Sequence, residues 1–154
     1  MAARGRRIRR RGGGLALALL VAAAAGTGRA EVAIDLVFED GAASALKKRG
    51  EWVVVSAWYY GEPAKAGVPT DEMGLVFLGA EEVTVFATDQ RLVLGGTMAG
   101  APMAWVVEPQ INVNVYSARM SDENNLLDCG IVEGPLAEMA QGVQRIACRL
   151  LGSP

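Results

Sequence analysis

The hydrophobic pattern of the chain is dominated by Trp52–Tyr60, where nearly every residue is β-branched or aromatic. Such residues favour a pleated, packed strand, whose side chains alternate between two faces. One face would carry Val53, Val55, Ala57 and Tyr59, and the other would carry Trp52, Val54, Ser56, Trp58 and Tyr60. Because neither face is polar, the pattern predicts a central strand that is covered, at least in part, on both sides.

Alternation of apolar and polar residues also predicts strands at Val32–Phe38, Ile111–Arg119 and Gln144–Leu151. Shorter apolar runs predict four more, at Gly74–Gly79, Val83–Ala87, Arg91–Leu94 and Leu126–Val132. Met103–Val107 fits either a strand or a helical turn. Glycine and proline separate most of these runs, as expected for short strands joined by turns.

Two stretches suit short helical turns. Asp40 or Gly41 can cap a helix that ends at Gly50, and the basic residues before Gly50 suit a helix C-terminus. Leu136–Gln141 can form a second turn. With no long helical period, the chain is predicted to be all-β: an antiparallel β-sandwich of about seven or eight short strands, or else a small barrel.

The first 30 residues differ from the rest in charge and hydropathy. A basic segment from Arg4 to Arg11 precedes an apolar run, Leu15–Ala25, and the small-residue sequence Gly28-Arg29-Ala30 follows. This order is typical of a signal peptide over residues 1–30, cleaved after Ala30, and the Sec route is favoured over the twin-arginine route. The apolar run is too short for a membrane anchor, which needs about 20 residues. Residues 31–154 are therefore predicted to form a single periplasmic or secreted domain.

Charge is unevenly distributed. Of 15 basic residues, seven lie in the first 30 positions, which contain none of the 17 acidic residues. Residues 31–154 therefore carry a net charge of −9. An acidic domain argues against nucleic acid and against anionic membrane as partners, because both need a basic surface.

The two cysteines, Cys129 and Cys148, both lie in the predicted exported domain. Exported proteins occupy oxidising compartments, so a disulfide is expected. On our strand assignment both side chains point inward, and the bond would tie the C-terminal strand to the sheet. A redox pair is the alternative, but active dithiols are usually close in sequence, whereas 18 residues separate this pair.

Histidine is absent from the sequence, which removes the commonest general base and many zinc-ligand sets. Carboxylates are the remaining catalytic candidates: Asp71/Glu72, Glu81/Glu82 and Glu108. Adjacent acids on a strand face opposite ways, so neither pair is a natural dyad. We therefore expect no catalytic residue and no cofactor. A carboxylate-dependent hydrolase acting on an envelope or extracellular glycan is the alternative.

The polar segment Ser121–Asn125 offers oxygen ligands of the kind that Ca²⁺ prefers. Asp122 and Glu123, together with Asp128, are the candidate ligands. The segment lacks the glycine and terminal glutamate of an EF-hand, and a polar hairpin loop is the favoured interpretation. A resident metal is not expected, and a calcium-dependent structural module is kept as a further alternative.

Trp52, Trp58 and Tyr60 are the candidate ligand-binding residues, because they share one face of the predicted central strand. Aromatic side chains on a sheet can stack on sugars or pack against a partner protein, although the core is their more frequent location. The leading hypothesis is an exported, non-catalytic binding or accessory module for a protein, a glycan or a small apolar ligand.

The stretch from VAIDLVF to GEWVVVSAWYYGEP resembles small secreted sandwiches of the transthyretin-like and immunoglobulin-like kind. INVNVYSAR followed by NLLDCGIVEGP is similar to uncharacterised exported proteins of Gram-negative bacteria. The first resemblance implies an architecture, and neither implies an activity or a functional residue.

Overall fold

Two four-stranded sheets pack face to face in the computed structural model, which describes residues 30–152. In chain order the strands are β1 (Val32–Phe38), β2 (Trp52–Gly61), β3 (Val76–Phe86), β4 (Gln90–Leu94), β5 (Gln110–Ser117), β6 (Leu127–Cys129), β7 (Val132–Pro135) and β8 (Val143–Leu150). The helices are α1 (Ala42–Arg49) and α2 (Leu136–Met139), and 3₁₀ turns cover Gly96–Met98 and Met103–Trp105. The predicted β-sandwich is confirmed.

The first sheet has the order β4-β1-β8-β6 and the second has the order β3-β2-β5-β7. Every connection crosses from one sheet to the other except that between β2 and β3, which are neighbours in the second sheet. All pairings are antiparallel except that of β1 with β8, which run side by side in parallel. The strand at Trp52–Gly61 is central, as predicted, because β3 and β5 both pair with it.

Alternating side chains from both sheets form the core. Fully buried residues include Ile34 and Leu36 from β1, Val53 and Val55 from β2, and Ile146 from β8. Each belongs to an alternating apolar set of its strand, although for β2 the sequence pattern does not predict which face is the inner one. Burial of such side chains removes apolar surface from water and is the main favourable term in folding.

Tyr59 brings a hydroxyl into this core, where Glu81 satisfies it. The hydroxyl donates to Glu81 Oε1 at 2.5 Å, and the Gly95 N–H donates to the same oxygen. Burial, together with this hydrogen bond, raises the pKa of Tyr59 well above its usual value, so the hydroxyl stays a donor. Gly95 has φ +125°, and a Cβ there would lie 2.6 Å from the Ala30 carbonyl oxygen, so no other residue fits.

The predicted helix after β1 is confirmed as α1, flanked by Gly41 and Gly50. Both glycines adopt the left-handed conformation, with φ 75° and 66°. Three basic residues occupy the last turn, where the helix dipole favours positive charge. The second predicted turn is confirmed as α2.

Two predicted strands, Gly74–Gly79 and Val83–Ala87, are in fact one. β3 runs without a break from Val76 to Phe86 and pairs along the whole of β2. A bulge shifts its register opposite Tyr59 and Tyr60, next to Gly79. Because the bulge changes which residues face inward, the apolar alternation is interrupted although the strand is not.

The predicted strand Leu126–Val132 is wrong in the opposite sense. It divides at Gly130 into β6, which belongs to the first sheet, and β7, which belongs to the second. Alternation with Leu127 and Cys129 would place Ile131 on the inner face, yet Ile131 lies in the crossing between the sheets and is exposed. An apolar run carries no signal for a change of sheet. Gly134-Pro135, a pair typical of turns, forms the end of β7.

The predicted disulfide is confirmed between Cys129 and Cys148, which face each other across the β6–β8 pair. Cys148 is fully buried and Cys129 is partly buried. The expected role requires correction. β8 is already held by its ladder with β1, so the bond instead ties the three-residue edge strand β6 to the sheet.

The predicted signal peptide lies outside the described residues except for Ala30, which packs partly against the core. Within residues 30–152, no helix is long and apolar enough to cross a membrane.

Candidate binding face

The outer surface of the second sheet is rich in aromatic side chains. We define this surface, the aromatic face, by six residues: Trp52, Trp58, Tyr60, Phe77, Phe86 and Tyr116. The first three come from β2, the next two from β3 and the last from β5, and strand pairing brings them to one side. All three sequence-predicted ligand-binding residues therefore lie on one face.

Several of these rings are open to solvent. Trp58 is 56% exposed, Phe77 54% and Phe86 64%, whereas Trp52 and Tyr60 are partly buried. The prediction that both sides of β2 are covered is wrong for Trp58, and so is the core interpretation of that residue. The apolar character of a side chain predicts that it is buried. It does not show whether the protein's own core or a second molecule buries it.

The exposed rings form two clusters at opposite ends of the face. Trp58 and Phe77 meet edge to face, with centroids 5.7 Å apart and planes at 67°. Trp52 and Phe86 lie 4.4 Å apart at 42°. The edge-to-face contact of Trp58 with Phe77 stabilises that pair beyond simple burial. Each exposed ring therefore has an aromatic neighbour on the same face.

Tyrosine hydroxyls on the face are held by carboxylates. Tyr116 donates to Glu82 Oε1 at 2.7 Å, and Tyr60 donates to Glu133 Oε1 at 2.9 Å. The pKa of Tyr116 is raised by its bond to Glu82 and by partial burial, and that of Tyr60 by burial and then by Glu133. Both hydroxyls therefore stay protonated, and both rings are fixed in place.

Two shallow recesses adjoin each other at the Trp58 end of the aromatic face. The first, the Trp58 recess, encloses about 250 Å³ and is lined by Trp58, Phe77, Met73, Asp71 and Asn112. The second, the Glu62–Glu108 recess, encloses about 320 Å³ and is lined by its two glutamates and Gln110. Tyr60 and Leu75 line both recesses, which makes the two continuous.

Asp71 shapes the wall of the Trp58 recess. Its Oδ1 accepts the N–H groups of Met73 and Leu75, each at 2.9 Å. These bonds close the loop before β3, and they place the exposed Met73 beside Phe77. A carboxylate that accepts backbone amides in this way fixes a turn, as aspartate commonly does. The recess is thus built by local structure that the sequence predicts only as loop.

A larger hollow of about 780 Å³ lies between α1 and the Trp52 end of the aromatic face. Ser44 and Lys47 of α1 line one side, while Trp52, Phe86 and Thr88 line the other. Few fixed polar groups of its lining converge on one point. The hollow therefore does not indicate which chemical class of ligand it would bind.

The outer surface of the first sheet is of a different kind. Arginine–carboxylate pairs bridge its neighbouring strands and loops: Arg91–Asp35 at 2.7 Å, Arg145–Glu39 at 2.9 Å and Arg149–Asp128 at 2.8 Å. All six side chains are exposed, so water and salt screen each pair and it contributes little to stability. On the outer surface of the first sheet, these three arginines neutralise the carboxylates next to them. Among the described residues, the aromatic face has no arginine–carboxylate or lysine–carboxylate pair.

The carboxylates proposed as catalytic candidates are dispersed. Glu81 points inward to Tyr59, whereas Glu82 points outward to Tyr116, which confirms that these neighbours face opposite ways. Asp71 holds a turn, and Glu108 accepts a hydrogen bond from Gln110 Nε2. Glu72 is exposed in the loop before β3.

The calcium candidates are engaged in other contacts. Asp122 accepts the backbone N–H and the side-chain amide of Asn124, and these hydrogen bonds lower its pKa. Asp128 pairs with Arg149 across the β6–β8 ladder. Glu123 is exposed. In the part of the chain that the structure describes, no three side chains of histidine, cysteine, aspartate or glutamate form a group that could hold a metal ion.

Sequence reasoning missed half of the aromatic face: Phe77, Phe86 and Tyr116. Two of these lie on β3, whose continuity was not predicted, so their pairing opposite Tyr60 and Trp52 was not available. The third lies on the face of β5 that also carries Asn112 and Asn114, two polar side chains that indicate a solvated face. An aromatic residue on an otherwise polar strand face is the signal that could have found it.

Comparisons with known protein families, with curated proteins and with solved structures find no match to this chain. The geometry of the aromatic face is therefore the observation from which a function can be inferred.

Proposed function

We propose that this protein is an exported, non-catalytic binding module whose ligand occupies the aromatic face at the Trp58 end. One observation carries the proposal: Trp58 and Phe77, two large aromatic side chains in contact at this end of the face, are both more than half exposed. Aromatic residues of this size dominate binding energetics where a partner buries them. The fixed tyrosines and the Asp71 turn pre-organise the surface, which lowers the entropic cost of binding.

Export is supported by the basic and apolar pattern of residues 1–30 and by the Cys129–Cys148 disulfide. Disulfides persist in the periplasm and outside the cell, where thiols are oxidised. We infer that the domain works in such a compartment, and that its partner is met there.

Photo-cross-linking in the producing cells tests the proposal. Benzoylphenylalanine replaces Ala80, which is exposed and pairs with Trp58 across β2 and β3. We expect a cross-linked product from this position. Adding Trp58→Ala should remove at least about nine-tenths of it, because loss of a central aromatic contact typically weakens binding tenfold or more.

Val93 provides the matched control, since it is 59% exposed but lies on β4 in the other sheet. Benzoylphenylalanine at Val93 should give no product. Trp58→Ala should leave the melting temperature nearly unchanged, because an exposed side chain contributes little to the core. Equal products from Ala80 and Val93, or no product from Ala80, would contradict a binding role for the aromatic face.

A further inference from the structure

The Trp58 end of the aromatic face is acidic as well as aromatic. Five carboxylates border it or the two recesses: Glu62, Asp71, Glu82, Glu108 and Glu133. No lysine or arginine lines either recess. Among the described residues none of these five acids takes part in a salt bridge, whereas three of the acids around the first sheet do. The two recesses therefore carry negative charge without an ion pair, while Arg119 adds positive charge near Tyr116, outside both recesses.

Aromatic rings surrounded by carboxylates favour a cation. The face of an indole or phenyl ring attracts an ammonium or guanidinium group within about 6 Å of its centroid. Trp58 and Phe77 stand at 67° to each other, so together they form a corner and not a flat platform. A corner can hold one cationic head against a ring face, with Asp71 at its rim.

The adjoining Glu62–Glu108 recess offers a second position. Glu62 follows β2 and Glu108 precedes β5. A backbone hydrogen bond from the Val107 N–H to the Glu62 carbonyl oxygen, at 3.0 Å, holds these two segments side by side. Tyr60 and Leu75, shared by both recesses, give the apolar surface that the stem of a long basic side chain covers.

Other ligands fit this surface less well. Sugar rings stack on flat, solvent-facing aromatic planes, and the crossed planes of Trp58 and Phe77 do not offer two such planes in line. Acidic polysaccharides and nucleic acids are repelled by the five carboxylates. A purely apolar molecule would leave those carboxylates partly desolvated and without a partner, at a cost in free energy.

We propose that the occupant of the aromatic face is a basic polypeptide segment, whose lysine or arginine side chains enter the Trp58 recess and the Glu62–Glu108 recess. This inference rests on the proposed binding function of the same face. Charge complementarity then supplies specificity and speeds association, while the aromatic corner supplies much of the affinity.

Titration calorimetry on the oxidised, signal-free protein tests the inference with three probes: a deca-arginine peptide, a deca-glutamate peptide and chitohexaose. We expect binding of the arginine peptide alone. Trp58→Ala should weaken it about tenfold. Glu62→Gln with Glu108→Gln should weaken it about fivefold, and raising the salt from about 50 mM to about 500 mM should weaken it further.

Glu123→Gln with Glu138→Gln is the control, because it removes two exposed charges from elsewhere on the surface. It should change the affinity by less than about twofold. Equal weakening by both double variants would mean that net charge alone attracts the peptide, and would overturn the inference. So would chitohexaose binding that Trp58→Ala abolishes, although the proposed function would then stand. No binding by any probe, with no cross-link from Ala80, would reject both.

Discussion

Reducing the Cys129–Cys148 disulfide is expected to lower the free energy of unfolding by about 3 kcal/mol and the melting temperature by about 10 °C. The bond closes a loop that leaves the first sheet at β6, runs through β7 and α2 at the second sheet, and returns in β8. Without the bond, that loop has more conformational entropy in the unfolded chain, which favours unfolding. The folded state keeps β6 through only three residue pairs with β8.

Thermal unfolding followed by circular dichroism, with and without reductant, measures this effect. Cys129→Ala with Cys148→Ala should match the reduced protein and should not respond to reductant. Alanine is the suitable replacement because Cys148 is fully buried, and serine would add a buried hydroxyl. A melting temperature that falls by less than about 3 °C would mean that β6 is held mainly by its packing.

Glu51→Gln is expected to cost about 2 kcal/mol, and Glu51→Ala about 3 kcal/mol. Glu51 is only 3% exposed, yet its carboxylate accepts the Met120 N–H at 3.0 Å and both the N–H and the hydroxyl of Ser121. It thereby holds the loop after β5, which starts at Arg119 with φ 58°. An amide in its place loses the charge-assisted bonds, and its NH₂ group faces a donor whichever way it turns, either the Met120 N–H or the groups of Ser121.

The effect should depend on pH. Burial opposes ionisation of Glu51, but its hydrogen bonds to Ser121 and Met120 outweigh burial and lower its pKa. The lowered pKa stabilises the fold fully above the unfolded-state carboxyl pKa, which is about 4.3. That contribution disappears as the pH falls through the folded-state pKa. Urea unfolding should therefore show the difference between wild type and Glu51→Gln shrinking below about pH 4.

Glu123→Gln is the matched control for the Glu51 loop contact, because Glu123 lies in the same loop and is exposed. It should change the free energy of unfolding by less than about 0.5 kcal/mol. If Glu51→Gln has an effect equally small at pH 7, the loop after β5 does not depend on the buried carboxylate.

Strand patterning was predictable wherever one face of a strand is buried and alternation is unbroken. β1, β5 and β8 were found within one or two residues, and their inward-facing side chains were assigned correctly. The cysteine pair was predictable from compartment and spacing. These features are set by local side-chain chemistry, which a sequence displays directly.

Pairing and sheet membership were not predictable, because they depend on residues far apart in the chain. The parallel neighbours β1 and β8 come from opposite ends of the domain. The division at Gly130 reflects the pairing of β6 with β8 and of β7 with β5. The role of Glu51 was not predictable, since its partners lie some 70 positions later.

The candidate site was half predictable for the same reason. Trp52, Trp58 and Tyr60 share a face by simple alternation, but Phe77 and Phe86 join them only through the bulged pairing with β3. The acidic character of the domain was visible in composition. The sequence did not show that several of the acidic residues border exposed aromatic rings and take no part in ion pairs. The ligand role of these residues and the resemblance to exported proteins of Gram-negative bacteria stay predictions.

Fluorescence quenching of Trp58 tests the central claim most directly, namely that this residue is exposed within an acidic aromatic surface. Trp52→Phe with Trp105→Phe leaves Trp58 as the sole tryptophan. Acrylamide should then quench the emission readily. At low ionic strength, and relative to free N-acetyltryptophanamide, Cs⁺ should quench it better than iodide does, because nearby carboxylates attract the cation. Emission that resists acrylamide, or that iodide quenches as well as Cs⁺, would contradict the account.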